Sequence, residues 1–427
     1  MEKIVKDFRD LQPRLRKNEV WRNVDFSALL TDELRLPQGE RQTAEYRCNI
    51  PNLDALRLVV ENGLCHEGLT VDSQGIVYGS LRDISGKRAD FVRQYFGLCT
   101  PQQNPYLQLN TENYTDGLFI YVPDGVQVER PVQLQSVVNA GHGLFLQVRN
   151  LVVVGRNSRV TLIHCDDSYD NAPAFANNVT EMHVGRDAYV QYYKMQNLNN
   201  QTGLLNHTYA LMDTGSALRS VAVTLNGGHI RNHTEIRMMG EHCDVQAHGL
   251  FLNDQEQQVD NYIFVDHAYP NCHSRELFKG ILDDSARGTF NGHVLVRDGA
   301  VKTEAYQSNN NILLTDKAII NTKPFLEIYN DDVKCSHGST IGQLDEQALF
   351  YIRSRGVSER TAQTLLLYAF CDEVLQQIEF EPLRDTLVDM VKKRLHGELT
   401  LCADCALHCG TPCNGPEVNF YIDPAKL

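Results

Sequence analysis

The chain has 427 residues, 42% apolar and 22% charged, with a formal charge of −14. That acidic balance excludes nonspecific binding to nucleic acid or anionic membranes, both of which need a basic surface. No run of about 18 apolar residues is present to span a bilayer, and the length calls for a main domain with smaller appendages.

The N-terminus, Met1-Glu-Lys-Ile-Val-Lys-Asp-Phe8, is charged throughout and lacks the apolar stretch of a secretory signal. The expected compartment is therefore the cytosol, and the twelve cysteines are expected to be mostly reduced thiols. Residues 1–105 read as a mixed helical region, with helical composition up to about Arg16 despite Pro13 and again from Lys87 to Phe96. Gly86-Lys87 is a faint echo of a phosphate loop, but Arg88 follows it and no glycine stands five residues before Gly86. No nucleotide site is expected.

From about Tyr106 to Thr340 the character changes to short β-rich runs between Gly, Asn and Asp. Val154-Gly-Arg-Asn-Ser-Arg-Val160 is echoed by Val184-Gly-Arg-Asp-Ala-Tyr-Val190 and by Thr214-Gly-Ser-Ala-Leu-Arg-Ser220, so that Gly155, Gly185 and Gly215 recur every 30 residues. A period of that length marks a solenoid or a propeller. A propeller needs four strands per unit and a longer repeat, and Trp21 is the only tryptophan. The expectation for 106–340 is a right-handed parallel β-helix with Gly and Asn, including the run Asn309-Asn-Asn311, at its corners. His242-Cys-Asp244 and Asn271-Cys-His273 fall among these repeats and are read as turn residues rather than metal pairs.

At the end of the β-rich region, Asp331-Asp-Val-Lys-Cys-Ser-His-Gly338 puts Cys335 and His337 two residues apart. In a strand both project to one face, with Lys334 and Ser336 on the other. A soft sulfur beside an imidazole suits iron, zinc or cluster chemistry better than hard cations. Two ligands do not close a site, and a lone Cys or His in a strand is more often structural.

A helical region, 341–397, follows and is expected to cap the solenoid. One helix runs from Asp345 to Arg355 and stops at Gly356. Ser358 caps a second, which carries Ala362, Leu365, Leu366, Ala369 and Phe370 as an apolar stripe able to pack on the solenoid or dock a partner. A third spans Pro382 to Leu395, with basic residues in its last turn. The tail, 398–427, holds Cys402, Cys405, Cys409 and Cys413, a set that could bind zinc or iron. Its spacing departs from the ferredoxin run, and Pro412 precedes the last cysteine.

Several stretches together resemble the SufB/SufD family of iron–sulfur cluster assembly proteins: Asp298-Gly-Ala-Val-Lys-Thr-Glu-Ala-Tyr-Gln307, Asn311-Ile-Leu-Leu-Thr-Asp-Lys317, Asn321-Thr-Lys-Pro-Phe-Leu-Glu-Ile-Tyr329, the 331–338 segment, Gly342-Gln-Leu-Asp-Glu346 and Phe350-Tyr-Ile-Arg-Ser-Arg-Gly356. Asp116-Gly-Leu-Phe-Ile-Tyr-Val-Pro-Asp-Gly125 and Glu19-Val-Trp-Arg22 extend the likeness, and the form of 331–338 is that of the SufD branch. The resemblance implies the same β-helix with a C-terminal helical domain. It implies a non-enzymatic scaffold that pairs with a SufB-like homologue and an ABC-type ATPase, SufC. A homodimer is the assembly open to the isolated chain. His337 and Cys335 would contribute to a cluster-building site at the SufB–SufD interface, holding iron or a cluster transiently, with no cofactor bound tightly by the chain alone. The helix bearing Leu365, Leu366, Ala369 and Phe370 would dock the ATPase. The Cys-rich tail and the region before Glu19 depart from the family pattern. Two other readings stand beside this one. One is a β-helix carbohydrate-active enzyme, by fold analogy alone, for which a calcium-binding Asp cluster and a secretion signal are lacking. The other is a SufB-like primary scaffold that carries a cluster itself.

Overall fold

The computed structural model describes residues 3–39, 50, 53–101 and 104–396. The Cys-rich tail, and with it the tail metal site, lies outside the described residues.

The chain opens on helix α1 (Lys3–Leu15), followed by strands β1 (Leu56–Glu61), β2 (Leu64–Cys65), β3 (Thr70–Val71) and β4 (Val77–Ser80) and helices α2 (Leu81–Lys87), α3 (Ala89–Arg93) and α4 (Pro105–Asn113). Eight coils of two strands each come next. They are β5 (Leu118–Val122) with β6 (Val132–Val138), β7 (Leu144–Val154) with β8 (Arg159–Ser168), β9 (Ala174–Val184) with β10 (Tyr189–Asn197), and β11 (Thr202–Met212) with β12 (Ala217–Asn226). The other four are β13 (His229–Met238) with β14 (Asp244–Asn253), β15 (Gln258–His267) with β16 (His273–Leu282), β17 (Arg287–Val296) with β18 (Thr303–Leu313), and β19 (Ile319–Ile328) with β20 (Val333–Gly342). Odd and even strands stack into two separate sheets with parallel pairing between successive coils. This is the parallel β-helix that the 30-residue repeat predicts.

The repeat is the corner between the two strands of a coil. Asn157, Asp187, Gly215, His242 and Asn271 stack at that corner with φ between 54° and 70°, the left-handed region that Gly, Asn and Asp enter most readily. Gly155, Gly185 and Gly240 lie against the backbone of the coil below; a Cβ on Gly240 would sit 2.3 Å from the Thr214 amide nitrogen. His242 and Asn271 are thus turn residues, as their place in the repeat implies, and Cys243 and Cys272 are buried inside the corner. Asn309-Asn-Asn311 is different. It lies within β18, where Asn309 and Asn311 turn inward and Asn311 Nδ2 donates to Asn309 Oδ1 at 2.7 Å. Here one asparagine amide satisfies the next along the strand, so buried positions accept them without a turn.

The strands of the early coils are buried on both faces, as in β7 and β9, because each sheet is covered outside. On the odd-numbered sheet, Ile4, Val5, Phe8, Trp21 and Phe26 pack over Phe145, Phe175 and Leu205. Helix α4, capped by Asn104 and started by Pro105, lies on β7 and β9, so the run of two-strand coils begins at Leu118 rather than near Tyr106. The two ends of the solenoid differ. At the N-terminal end, β1 adds a parallel rung to β6, and β4 closes the other sheet by pairing antiparallel to β5. At the C-terminal end, β19 and β20 are the outermost strands of their sheets.

The helical region does not cap that end. Helices α5 (Glu346–Arg353), α6 (Glu359–Leu375) and α7 (Glu381–Leu395) follow β20, and α6 lies along β14 and β16 on the flank. Leu367, Cys371, Val374 and Leu375 meet Val221, Val223, Leu225, Leu250 and Ile281, the apolar outer face of the even-numbered sheet. This buried face is rotated from the stripe read in the sequence. Ala362 is buried, but Leu365, Leu366 and Phe370 are half-buried and Ala369 is exposed.

Candidate metal-handling site at the open end

Burial falls away over the last coils. In β18 it alternates strictly, and most of β19 and β20 is half-buried or exposed. Ile319, Phe325, Ile328, Tyr329 and Ile341 keep between 37% and 60% of their surface exposed. Unpaired strand edges with apolar side chains are the surface on which another β-structure docks.

Cys335 and His337 sit on β20, the last rung, in register with Ala305 and Gln307 of β18. Strand alternation puts both on the inward side, as the spacing implies. Cys335 is half-buried against the pocket of Val294, Val296, Ala300 and Ala305, while His337 is exposed. Burial pushes the Cys335 thiol up, with the Ala305 backbone opposing it. On the other face, Lys334 donates to Glu304 at 2.8 Å, away from the site. The structure thus presents a thiol and an imidazole at an open end.

Behind them is a polar interior that the sequence did not reveal. Thr322 of β19 donates to Asn309 Oδ1 at 2.8 Å and is 2.7 Å from the Ser339 hydroxyl of β20, tying the two sheets at the mouth. One rung below His337, Gln307 donates through Nε2 to Glu276 Oε2 at 2.7 Å. Glu276 is 1% exposed, and burial raises its carboxyl to about 8 against the opposing hydrogen bond from Gln307. Its inward position follows from the alternation of β16, but only the register shows that it lines up with His337.

The sign of the Glu276 effect is testable. Its carboxyl holds a proton in the fold that the unfolded chain gives up near 4.5, so stability is full below that value and falls as pH rises through about 8. Glu276→Gln is expected to remove the decline and to be a few kcal/mol more stable than wild type at pH 8, read from urea unfolding at several pH values. Parallel pH profiles for the two proteins would contradict this.

A second group that sequence reasoning missed lies on the outer face of the odd-numbered sheet. Cys99, Glu181 and His183 converge there, all buried, with ligand atoms within 4.8 Å of one another. Glu181 and His183 are two apart on β9, but Cys99 comes from a loop 84 residues earlier, so no sequence spacing announces the set. Its donors are already engaged. Arg149 Nε and the Gly97 amide donate to Glu181 at 2.9 and 2.8 Å, His183 Nε2 lies 2.8 Å from Tyr95 O, and burial pushes the Cys99 thiol up. The group pins the 94–101 segment to the solenoid.

The match to known families decides the identity. The SUF system FeS cluster assembly SufBD core domain matches residues 137–370, and the SufBD protein N-terminal region matches residues 2–134. The chain belongs to the SufBD family. Among SufBD relatives it is 28% identical over 386 residues to the iron–sulfur cluster assembly protein SufD of Escherichia coli, covering 90% of this chain and 89% of that protein. It is 26% identical over 386 residues to SufD of Bacillus subtilis, with 88% of each covered. It is 25% identical over 391 residues to the chloroplastic protein ABCI7 of Arabidopsis thaliana, covering 88% of this chain and 82% of that protein. The segment before Glu19, which departs from the family pattern when read alone, falls within the N-terminal match. No helix among the described residues is long and apolar enough to cross a membrane.

Proposed function

We propose that this SufBD protein is a SufD-like, non-enzymatic scaffold of the cytosol whose open solenoid end pairs with a homologous SufB-like chain. The paired ends enclose a site where His337 and Cys335 receive iron, with sulfur, as cargo for a nascent cluster. The observation that carries this reading is the asymmetry of the solenoid: its first coil is covered by β1 in parallel and β4 in antiparallel pairing, and its last presents an imidazole and a thiol on bare strand edges.

The chemistry is consistent. To ligate iron, the thiol must lose its proton, and burial at Cys335 opposes that until a cation arrives to stabilise the thiolate. Neither residue forms a closed ligand set by itself, which suits a site that must later release its product. Docking a second β-edge would exclude water and supply the remaining ligands.

The helical region offers a separate surface for a SufC-like ABC ATPase. Helix α5 buries none of its residues, leaving Phe350 74% and Tyr351 59% exposed. On the adjoining α6, Leu365, Leu366 and Ala369 face away from the apolar seam with the solenoid. Co-expression with a SufB-like and a SufC-like protein is expected to yield a ternary complex. Leu365→Asp with Leu366→Asp is expected to lose the ATPase and retain the homologous scaffold in affinity purification. A chain that recovers neither partner would refute the reading.

A further inference from the structure

We infer that Glu276 is the charge-compensating group of the open-end site: a divalent cation held at the His337 rung expels the proton of the Glu276 carboxyl, which then faces the cation across Gln307. The inference rests on the proposed role of His337 and adds a residue to it.

The argument begins with placement. Glu276, Gln307 and His337 occupy the same inward position on β16, β18 and β20, in continuous register. Successive rungs of a sheet are about 4.8 Å apart, which puts the carboxyl roughly 10 Å behind the imidazole position. Among the described inward positions of β14 to β20, Glu276 is the one acidic side chain; Asp244, Asp260, Asp266, Glu304 and Glu327 point outward to Arg219, His229, Arg297, Lys334 and His293.

Among the described residues, nothing inside balances its charge. The residues facing it are Ala247 and Gln307 in register on either side, and Gly292 of β17 beyond the Gln307 amide. None of these is titratable, and burial raises the carboxyl against the Gln307 hydrogen bond. A buried carboxyl with no opposing cation is a costly thing to keep. Here one oxygen of Glu276 and the Gln307 carbonyl oxygen are both buried without a partner among the described residues. The space is also built for this amide, because a Cβ on Gly292 would lie 2.3 Å from Gln307 Nε2.

The magnitude is sufficient. A divalent charge at about 10 Å, with an effective interior dielectric near 20, favours the ionised carboxyl roughly 300-fold. A carboxyl that is mostly protonated at pH 7 in the empty site would become mostly ionised in the loaded one. By linkage the ionised carboxyl returns the same preference to the cation. The proton leaves through the open mouth, and the balance is one cation in and one Glu276 proton out, besides any proton lost by the ligands themselves.

The test titrates Fe2+ anaerobically into the assembled complex at pH 7. Binding heats in buffers of different ionisation enthalpy give the number of protons released. Wild type is expected to release close to one proton more per iron than Glu276→Gln and to bind about 20-fold more tightly. At pH 9, where the wild-type carboxyl is already ionised, the difference in proton release should vanish and the difference in affinity should persist. His337→Ala runs beside them. If His337→Ala loses iron while Glu276→Gln matches wild type in affinity and proton count, the inference falls and the site stands. If His337→Ala keeps its iron, the site and the inference fall together. The glutamine is isosteric and keeps an acceptor for Gln307, so a folded variant is expected, and its thermal midpoint is recorded alongside.

Discussion

Replacing His337 by alanine is expected to cut iron bound per complex at least about tenfold while leaving the fold unchanged. Losing even an outer-shell partner of a metal costs 10- to 100-fold in affinity, and a direct ligand costs no less. The structural cost should be small, because His337 is exposed on the last rung and touches no core cluster. Exposed substitutions of this kind stay within about 0.5 kcal/mol. Cys335→Ser should weaken iron loading too, but with a stability loss of its own, because that side chain packs against Val294, Val296, Ala300 and Ala305. Bound iron measured by elemental analysis, with circular dichroism melts on the same samples, separates the two effects. An iron content in His337→Ala equal to wild type would remove this residue from the site.

The second large effect is expected far from the open end. Arg149 and Glu181, each 0% exposed, form an ion pair on adjacent strands of the odd-numbered sheet. Arg149 also reaches Asn110 Oδ1 and Thr111 Oγ1 and stacks over Phe96, and Glu181 accepts the Gly97 amide. The pair therefore ties α4 and the 94–101 segment to the solenoid wall. Arg149→Leu leaves a buried carboxyl unopposed and is expected to cost about 3–5 kcal/mol.

Burial already raises the Glu181 carboxyl against the pull of Arg149. Without the guanidinium it rises further, so the variant should lose stability as pH climbs from acid toward neutral. Arg149→Leu combined with Glu181→Leu should recover most of the loss, since two apolar groups of similar volume replace a desolvated pair. Denaturant unfolding of the single and double variants gives the coupling directly. A single variant as stable as wild type at pH 7 would show that the pair carries no structural weight.

Much of the architecture was legible because it is local and periodic. Gly155 and Gly185 gave the length of one coil, since the same backbone corner must recur where each coil stacks on the last; Gly215 takes the place of Asn157 and Asp187 instead, so the next coil is shorter than the glycine spacing implied. The caps at Asp345 and Ser358 fixed two helix starts, and both side chains accept backbone amides as expected. Asn309–Asn311 misled because an asparagine satisfies a neighbour's amide inside a stack as readily as it turns a corner. The stripe on α6 was misplaced for a related reason. Leu365 and Leu366 are as apolar as Leu367 and Leu375, and only the position of the solenoid flank selects which of them is buried.

The sequence by itself determined the repeat, the helical appendage, the family and the pairing of Cys335 with His337 on one strand, since all of these are carried by spacing along the chain. The tertiary structure decided which end of the solenoid stays open and that the helices lie along its side. It also decided that Glu276 stands two rungs behind His337 and that Cys99 meets Glu181 and His183. These facts join residues dozens of positions apart. Strand register and the burial of competing apolar faces set them, and neither leaves a local mark in the order of the amino acids.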